Sequence, residues 1–191
     1  RRIRVLTRQN PITQIGQIGL EAVFIELTNI LAQSDTVIAA IIPKTHLTAR
    51  GPEAVQFRKF LLEEFNMQVL FTYPGKGIFG NVIKGTCVVV GRKDCSNEND
   101  VKVISSYIPI PDMNLQDFER ALHQPIRYDE FIDLANGIVG CLVTRESAYE
   151  SATDGWRNFD SEIFEATRFV FDNIENNPMF VQIRTLGYSN R

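Results

Sequence analysis

Cysteine, histidine and tryptophan are scarce in this 191-residue chain, at three, two and one. Three cysteines (Cys87, Cys95, Cys141) are too few, and odd in number, for a disulfide framework. They fit a reducing compartment. The histidines, His46 and His123, lie in different segments, and no Cys-x-x-Cys or His-x-x-x-His spacing occurs. The usual zinc sites are thereby excluded, and no metal is expected. A Ser–His–Asp triad finds no support either, since no G-x-S-x-G elbow is present. The longest apolar run, Thr36 to Pro43, is too short to cross a bilayer. No membrane partner is expected, and a cytoplasmic location is. Charge of one sign is also lacking: 20 Lys and Arg against 23 Asp and Glu leave a net −3. That balance excludes a generally basic nucleic-acid binder but leaves room for a local basic patch.

What is present is ordinary globular material, 44% hydrophobic and 23% charged. At roughly 150 residues per domain, the length suggests one domain, or one plus an appendage. The first residue is arginine rather than methionine, and we expect the chain to be a piece of something longer.

Residues 1–14 (RRIRVLTRQNPITQ) interleave Arg1, Arg2, Arg4 and Arg8 with Ile3, Val5 and Leu6. A strand and a phosphate-touching arm both fit. Residues 15–33 predict a helix, because Leu20, Val23, Phe24, Leu27, Ile30 and Leu31 recur at three- and four-residue steps. TVIAAIIP follows, a β-branched run without alternation that predicts a strand buried on both faces, as in a parallel sheet. Gly51-Pro52-Glu53 starts a second helix to about Phe65, with Ala54, Phe57, Leu61 and Phe65 on one face. MQVLFTYP and GTCVVVGRK read as strands, separated by about ten residues containing PGKGIFGN. That gap is too short for a helical crossover, so the two should pair antiparallel.

Beyond Lys93 the signals weaken. DCSNEND (94–100) is a polar loop and VKVISSYIPI is strand-like. Asn114 can cap a short helix carrying Leu115, Phe118 and Leu122. Residues 127–135 suggest another short helix, while ANGIVGCLV fits a strand or a buried loop. Ser147 to Asn158 reads as a polar loop. Asp160 caps a helix with Ile163, Thr167, Val170, Phe171 and Ile174 on one face, and residues 180–186 suggest a terminal strand.

Two places carry candidate chemistry. Lys76 and Phe79 stand between the glycines of the hairpin loop. Phe79 either folds back onto the sheet or stands exposed as a stacking platform for a flat ligand, worth ~1–3 kcal/mol for a nucleobase. Lys44 and His46 follow the first apolar strand, at the carboxyl end where open α/β sheets bind ligands. The bland alternative there is a solvated strand-to-helix loop. The glycine stretch is neither a Walker A loop nor a dinucleotide fingerprint, since it leads from strand to strand.

These segments, in this order, resemble the second half of the catalytic domain of N6-adenine DNA methyltransferases, particularly those of restriction–modification systems. LEAVFIELTNILAQSDTVIAAIIPKTHL is similar to the family's helix, short turn and strand ending in proline. EAVQFRKFLLEEFNMQVLFTYPGKGIF is similar to its next helix, strand and aromatic-bearing loop, and VIKGTCVVVGRK to its final strand. The resemblance covers about 75 residues, from Gly19 to Lys93. It implies a doubly wound α/β sheet ending in an antiparallel hairpin, and a parent that moves a methyl group from S-adenosylmethionine to adenine in double-stranded DNA. It also implies that Phe79 stacks on the extruded adenine, a step required because the amino group is unreachable inside the duplex. Thr86 matches a family threonine read as structural.

The glycine-rich donor motif and the Asn/Asp-Pro-Pro-aromatic motif are absent. Asn10-Pro11-Ile12-Thr13 is at best a remnant of the latter, and an ordinary Asn-Pro turn otherwise. No catalytic residue is therefore assigned. The chain alone is expected to bind the methyl donor poorly and to methylate nothing. Lys44, His46 and Lys76 are candidate DNA contacts by position alone.

The expected organisation is an N-terminal arm (1–14), the C-terminal half of a methyltransferase-like α/β domain (15–93), and a mixed, mostly helical extension (94–191) towards a recognition region. Expected partners are the missing N-terminal half or other restriction–modification subunits, and DNA through the parent enzyme. The alternative is a non-catalytic binding or assembly module on a degenerate methyltransferase-like fold.

Overall fold

The computed structural model describes residues 19–74, 85–94, 100–128, 130–156 and 159. The candidates Asn10, Pro11, Lys76 and Phe79 lie outside them, as do the residue 160–174 helix and the residue 180–186 strand.

The first predicted helix is α1 (Leu20–Leu31), which buries Ala22, Ile25, Glu26 and Asn29. The Lys93 ammonium closes its C-terminus by donating to the carbonyls of Asn29 at 2.7 Å, Ile30 at 3.2 Å and Ala32 at 2.9 Å. A cation there meets the last unpaired carbonyls and the negative end of the helix dipole. Asp35, at φ 64°, turns the chain into β1 (Val37–Pro43).

A single turn, α2 (Thr45–Thr48), and the longer α3 (Pro52–Glu63) lead to β2 (Met67–Thr72). Pro52 sits in the first turn of α3, as its fixed φ and missing N–H favour. Ala54, Phe57, Phe60, Leu61 and Phe65 are all buried, as their spacing predicts. β3 (Thr86–Arg92) returns antiparallel between β1 and β2, pairing Val37 with Arg92 through Pro43 with Thr86 on one side, and Thr72 with Cys87 on the other. Gly91 allows this packing: a Cβ there would stand 2.3 Å from the Phe65 carbonyl oxygen.

The sheet does not stop at residue 93. β4 (Val101–Ser106) pairs parallel with β2, then β6 (Ile138–Val143) pairs antiparallel with β4, and β5 (Ile132–Ala135) with β6. The strand order is β1-β3-β2-β4-β6-β5, a six-stranded mixed sheet. The helices α4 (Leu115–His123) and α5 (Arg145–Glu150) complete the described elements, with one 3-10 turn at Ile110–Asp112. Asn114 caps α4 by accepting from the Gln116 N–H at 2.9 Å.

Three expectations differ from this architecture. Residues 132–135 are a strand, not part of a helix, because β6 supplies a ladder that local propensity cannot show. Residues 147–158 are not a polar loop throughout: they finish α5 and bury Trp156. β1 is not buried on both faces, since it is outermost among the described strands and Val37 and Ile41 stand exposed.

Strand alternation sends two sets of side chains to opposite faces. On one face Ile38, Ile42, Leu70, Val89, Val103 and Cys141 pack under α1, α3 and Trp156. On the other, Phe71, Tyr73, Ile104, Leu134 and Ile138 pack with Ala121 and Phe118 of α4. Arg145 of α5 ties the first layer to the sheet, donating to the carbonyl of Leu62, to Asn66 Oδ1 at 2.9 Å and to the Met67 carbonyl at 3.1 Å.

Candidate functional site

β1, β2 and β4 run in one direction, with β3 and β6 opposed. Pro43, Thr72 and Ser106 therefore end at the same edge of the sheet, the edge where open α/β sheets place ligands. Pro74 and Gly85, the described residues on either side of residues 75–84, lie at that edge.

Two contacts define the base of this loop. The Lys44 N–H donates to the Gly85 carbonyl at 2.9 Å, joining the end of β1 to the loop's return. The Tyr73 hydroxyl meets Thr86 Oγ1 at 2.8 Å, one rung beyond the Thr72–Cys87 pair. Tyr73 is buried, its ring 5.4 Å from Phe71, which in turn lies 4.9 Å from Phe118. Burial raises the Tyr73 pKa, so the phenol stays neutral. The loop base is thus bolted to the aromatic layer beneath α4. The structural reading of Thr86 has its physical partner in Tyr73. Period-2 alternation from Phe71 was the signal for Tyr73's inward orientation, but its hydroxyl partner depends on the register.

Lys44 and His46 both lie at this edge, Lys44 as the N-cap of α2 and His46 within its single turn. Lys44 is only 7% exposed. His46 Nε2 is 2.8 Å from Glu21 Oε1 at the start of α1, and its ring packs 4.8 Å from Phe57. As packed, neither presents a solvated cation. A phosphate contact by either would require prior rearrangement, because a buried or paired group must first be released.

A hydroxyl network lies beside them. Thr72 Oγ1 is 2.6 Å from Ser105 Oγ across the parallel β2–β4 pair, and donates to the Phe159 carbonyl at 3.0 Å. This fixes the chain at residue 159 over the same sheet edge. Neither Thr72 nor Ser105 was visible as a pair in the sequence, since they are 33 positions apart.

Two cavities among the described residues lie elsewhere. One of about 390 Å³ is lined by Leu62, Glu63, Arg145, Glu146, Tyr149 and Glu150. Another of about 660 Å³ is formed by residues including Asn29, Glu64, Asn66 and Lys93, at the opposite end of the sheet. Among the described residues no group of three or more His, Cys, Asp or Glu could hold a metal ion, and no helix is long and apolar enough to cross a membrane. The described strand-to-helix turns at Lys44 and Thr144 carry no glycine, so neither offers the close backbone cradle of a glycine-rich donor loop.

No protein-family model matches the chain, and none of the curated proteins does. Solved structures do. A segment of the type IIG restriction endonuclease BpuSI is 37% identical, with a TM-score of 0.71, over 92% of this chain and 19% of that one. The EcoKI M protein of a type I restriction enzyme is 16% identical, with a TM-score of 0.53, over 90% of this chain and 45% of that one. A protein of a type I R-M system studied for complex assembly and conformational transition is 11% identical, with a TM-score of 0.54, over 92% of this chain and 41% of that one. The last two show likeness of fold alone. The chain spans less than half the length of each of these proteins.

Proposed function

The chain is a restriction–modification methyltransferase-like segment, and we propose that it supplies the base-stacking side of the catalytic domain of an adenine-N6 DNA methyltransferase. The observation that carries this reading is the 37% identity to a BpuSI segment across 92% of the chain. The β1-β3-β2 arrangement, with an antiparallel strand between two parallel ones, agrees with it.

In this reading the parent enzyme binds double-stranded DNA and extrudes an adenine. Phe79, on the loop rooted at Tyr73 and Thr86, offers the aromatic face on which the base stacks. Tyr73, Thr86 and the Lys44–Gly85 backbone bond position that loop relative to the end of β1. S-adenosylmethionine supplies the methyl group when bound in the parent. The described strand-to-helix turns of this chain do not fit it, lacking a glycine cradle, and in this reading the donor is held mostly by the rest of the parent. Lys44, His46 and Lys76 are proposed as DNA-proximal groups, with His46 needing release from Glu21 to act. Partners are the remainder of the parent enzyme or other restriction–modification subunits.

The test is a Phe79→Ala substitution in the intact protein that contains this chain. Stacking is worth ~1–3 kcal/mol per base, so binding to duplexes with a mismatched target adenine should weaken by about 5- to 150-fold. The 2-aminopurine fluorescence increase on extrusion should fall with it. Unchanged fluorescence and affinity would remove Phe79 from the site. If the intact wild-type protein binds DNA but never alkylates adenine, an assembly module is the better account.

A further inference from the structure

The cavity of about 660 Å³ sits where the carboxyl ends of α1 and α3 come together. Asn29 lines it from α1, Glu63 and Glu64 from the end of α3, and Asn66 from the turn into β2. Lys93 and Asp94, just after β3, complete the wall. Both helices turn the negative ends of their dipoles towards this place.

The donors of this wall are already engaged. Asn29 Nδ2 donates to the Glu64 carbonyl at 3.1 Å, and Asn66 Nδ2 to the Arg92 carbonyl at 3.0 Å. The Lys93 ammonium directs its protons to the carbonyls of Asn29, Ile30 and Ala32. What the wall has in excess is acceptors. Asn29 is 7% exposed, and its Oδ1 is buried without a hydrogen-bond partner among the described residues. Buried acceptors are nearly always paired, so one left over marks a place where a donor belongs. Beside it stand the carboxylates of Glu63, Glu64 and Asp94. Among the described residues no ion pair engages Glu64 or Asp94.

The matching ligand brings positive charge and hydrogen-bond donors together. A bare metal ion does not suit the donor set, because among the described residues no three carboxylates are grouped to hold one. One water accounts for about 30 Å³ of liquid, a small part of the space. A guanidinium does suit it. Its planar fork of N–H groups reaches an amide oxygen and a carboxylate at once, and its weak hydration lets it seat beside a buried amide. An ammonium is more strongly hydrated and donates from a single point.

Burial indicates the direction of entry. Glu63, Glu64 and Asp94 are exposed, while Asn29 and Asn66 beneath them are buried. A side chain arriving from the surface would pass the carboxylates and end at the amide. The cavity lies at the end of the sheet opposite Pro43, Thr72 and Ser106, so both ends can be engaged at once.

We infer that this cavity is a binding site for an arginine side chain of a partner polypeptide, its guanidinium donating to Asn29 Oδ1 and to the Glu64 and Asp94 carboxylates. The inference rests on the imbalance of donors and acceptors and not on methyl transfer, so its failure leaves the proposed function standing.

Titration calorimetry on the intact protein that contains this chain tests it, with N-acetyl-arginine amide as the probe. The blocked ends leave the guanidinium as its one charge. Saturable binding is expected. The lysine analogue should bind at least about 10-fold more weakly, and the citrulline analogue, of similar shape without the charge, not measurably. Glu64→Gln combined with Asp94→Asn alters exposed groups only, and should weaken the arginine probe at least about 10-fold. Asn29→Ala should weaken it as well, with Trp156 fluorescence reporting that the variant is folded. Absence of binding, including a cavity filled by the protein's own chain, would overturn the inference. So would equal binding of the three probes, or binding unchanged by Glu64→Gln with Asp94→Asn. Tighter binding of free L-arginine than of the blocked probe would overturn it too, by making a free amino acid the occupant.

Discussion

Arg58→Met should lower the unfolding free energy by about 3–5 kcal/mol, a large part of an ordinary domain's 5–15 kcal/mol. Arg58 is fully buried in α3 and donates to three backbone carbonyls: Ala152 from Nε at 2.8 Å, His46, and Ala49 from Nη2 at 2.8 Å. Among the described residues no carboxylate pairs with it. The guanidinium is held by carbonyl dipoles, two of them at the end of α2, where the helix dipole favours a cation. Burial lowers its pKa from the ordinary value. Methionine fills similar space and donates nothing. Three carbonyls then lose their donor, and each buried polar group left unpaired costs about 1–3 kcal/mol. Lysine should recover only part, because one ammonium cannot span the three directions of the fork. Urea unfolding followed by far-ultraviolet circular dichroism reads the effect. A loss under about 1 kcal/mol would mean that water replaces the guanidinium.

Trp156→Ala should cost a similar 3–5 kcal/mol, the range for removing a large buried aromatic. Its indole N–H donates to the Ala148 carbonyl at 2.8 Å, and its backbone N–H to that of Leu47 at 2.7 Å. Its ring lies 6.0 Å from Phe159. Gly155, at φ 89°, brings the chain close enough for the Leu47 contact: a Cβ there would approach the Leu47 oxygen to 2.9 Å. Trp156 is the chain's one tryptophan, so intrinsic fluorescence reports this place alone. Emission should be blue-shifted in the native state and move to the red on unfolding. Arg58 and Trp156 hold the same pair of segments, residues 46–49 and 148–156, so the losses should fall short of additive in the double variant. Full additivity would show that the two anchors act independently.

These anchors also show where sequence reading ran out. α1, α3 and the first three strands were legible because their apolar positions repeat locally, and the antiparallel hairpin followed from the shortness of its loop. Arg58 carried no expectation from the sequence, because its carbonyl partner at Ala152 is 94 positions away and leaves no local trace. The same holds for His46 and Glu21, 25 apart. His46 was a candidate DNA contact by its position after β1 alone, and Glu21 could not be seen as its partner. Residues 147–158 looked polar because a single tryptophan among charged neighbours makes no periodic pattern. β1 looked doubly buried because its composition, a β-branched run without alternation, suits an interior strand.

The central claim is that this chain forms part of an enzyme that methylates adenine at N6. The direct measurement is to incubate the intact protein containing it with duplex DNA and S-adenosylmethionine carrying a labelled methyl group, then digest the DNA to nucleosides and separate them. The account predicts label in N6-methyldeoxyadenosine, reduced about 5- to 150-fold in rate by Phe79→Ala if stacking is lost in the reacting complex. Label in a methylated cytosine, or none in a protein that binds both DNA and donor, would contradict it.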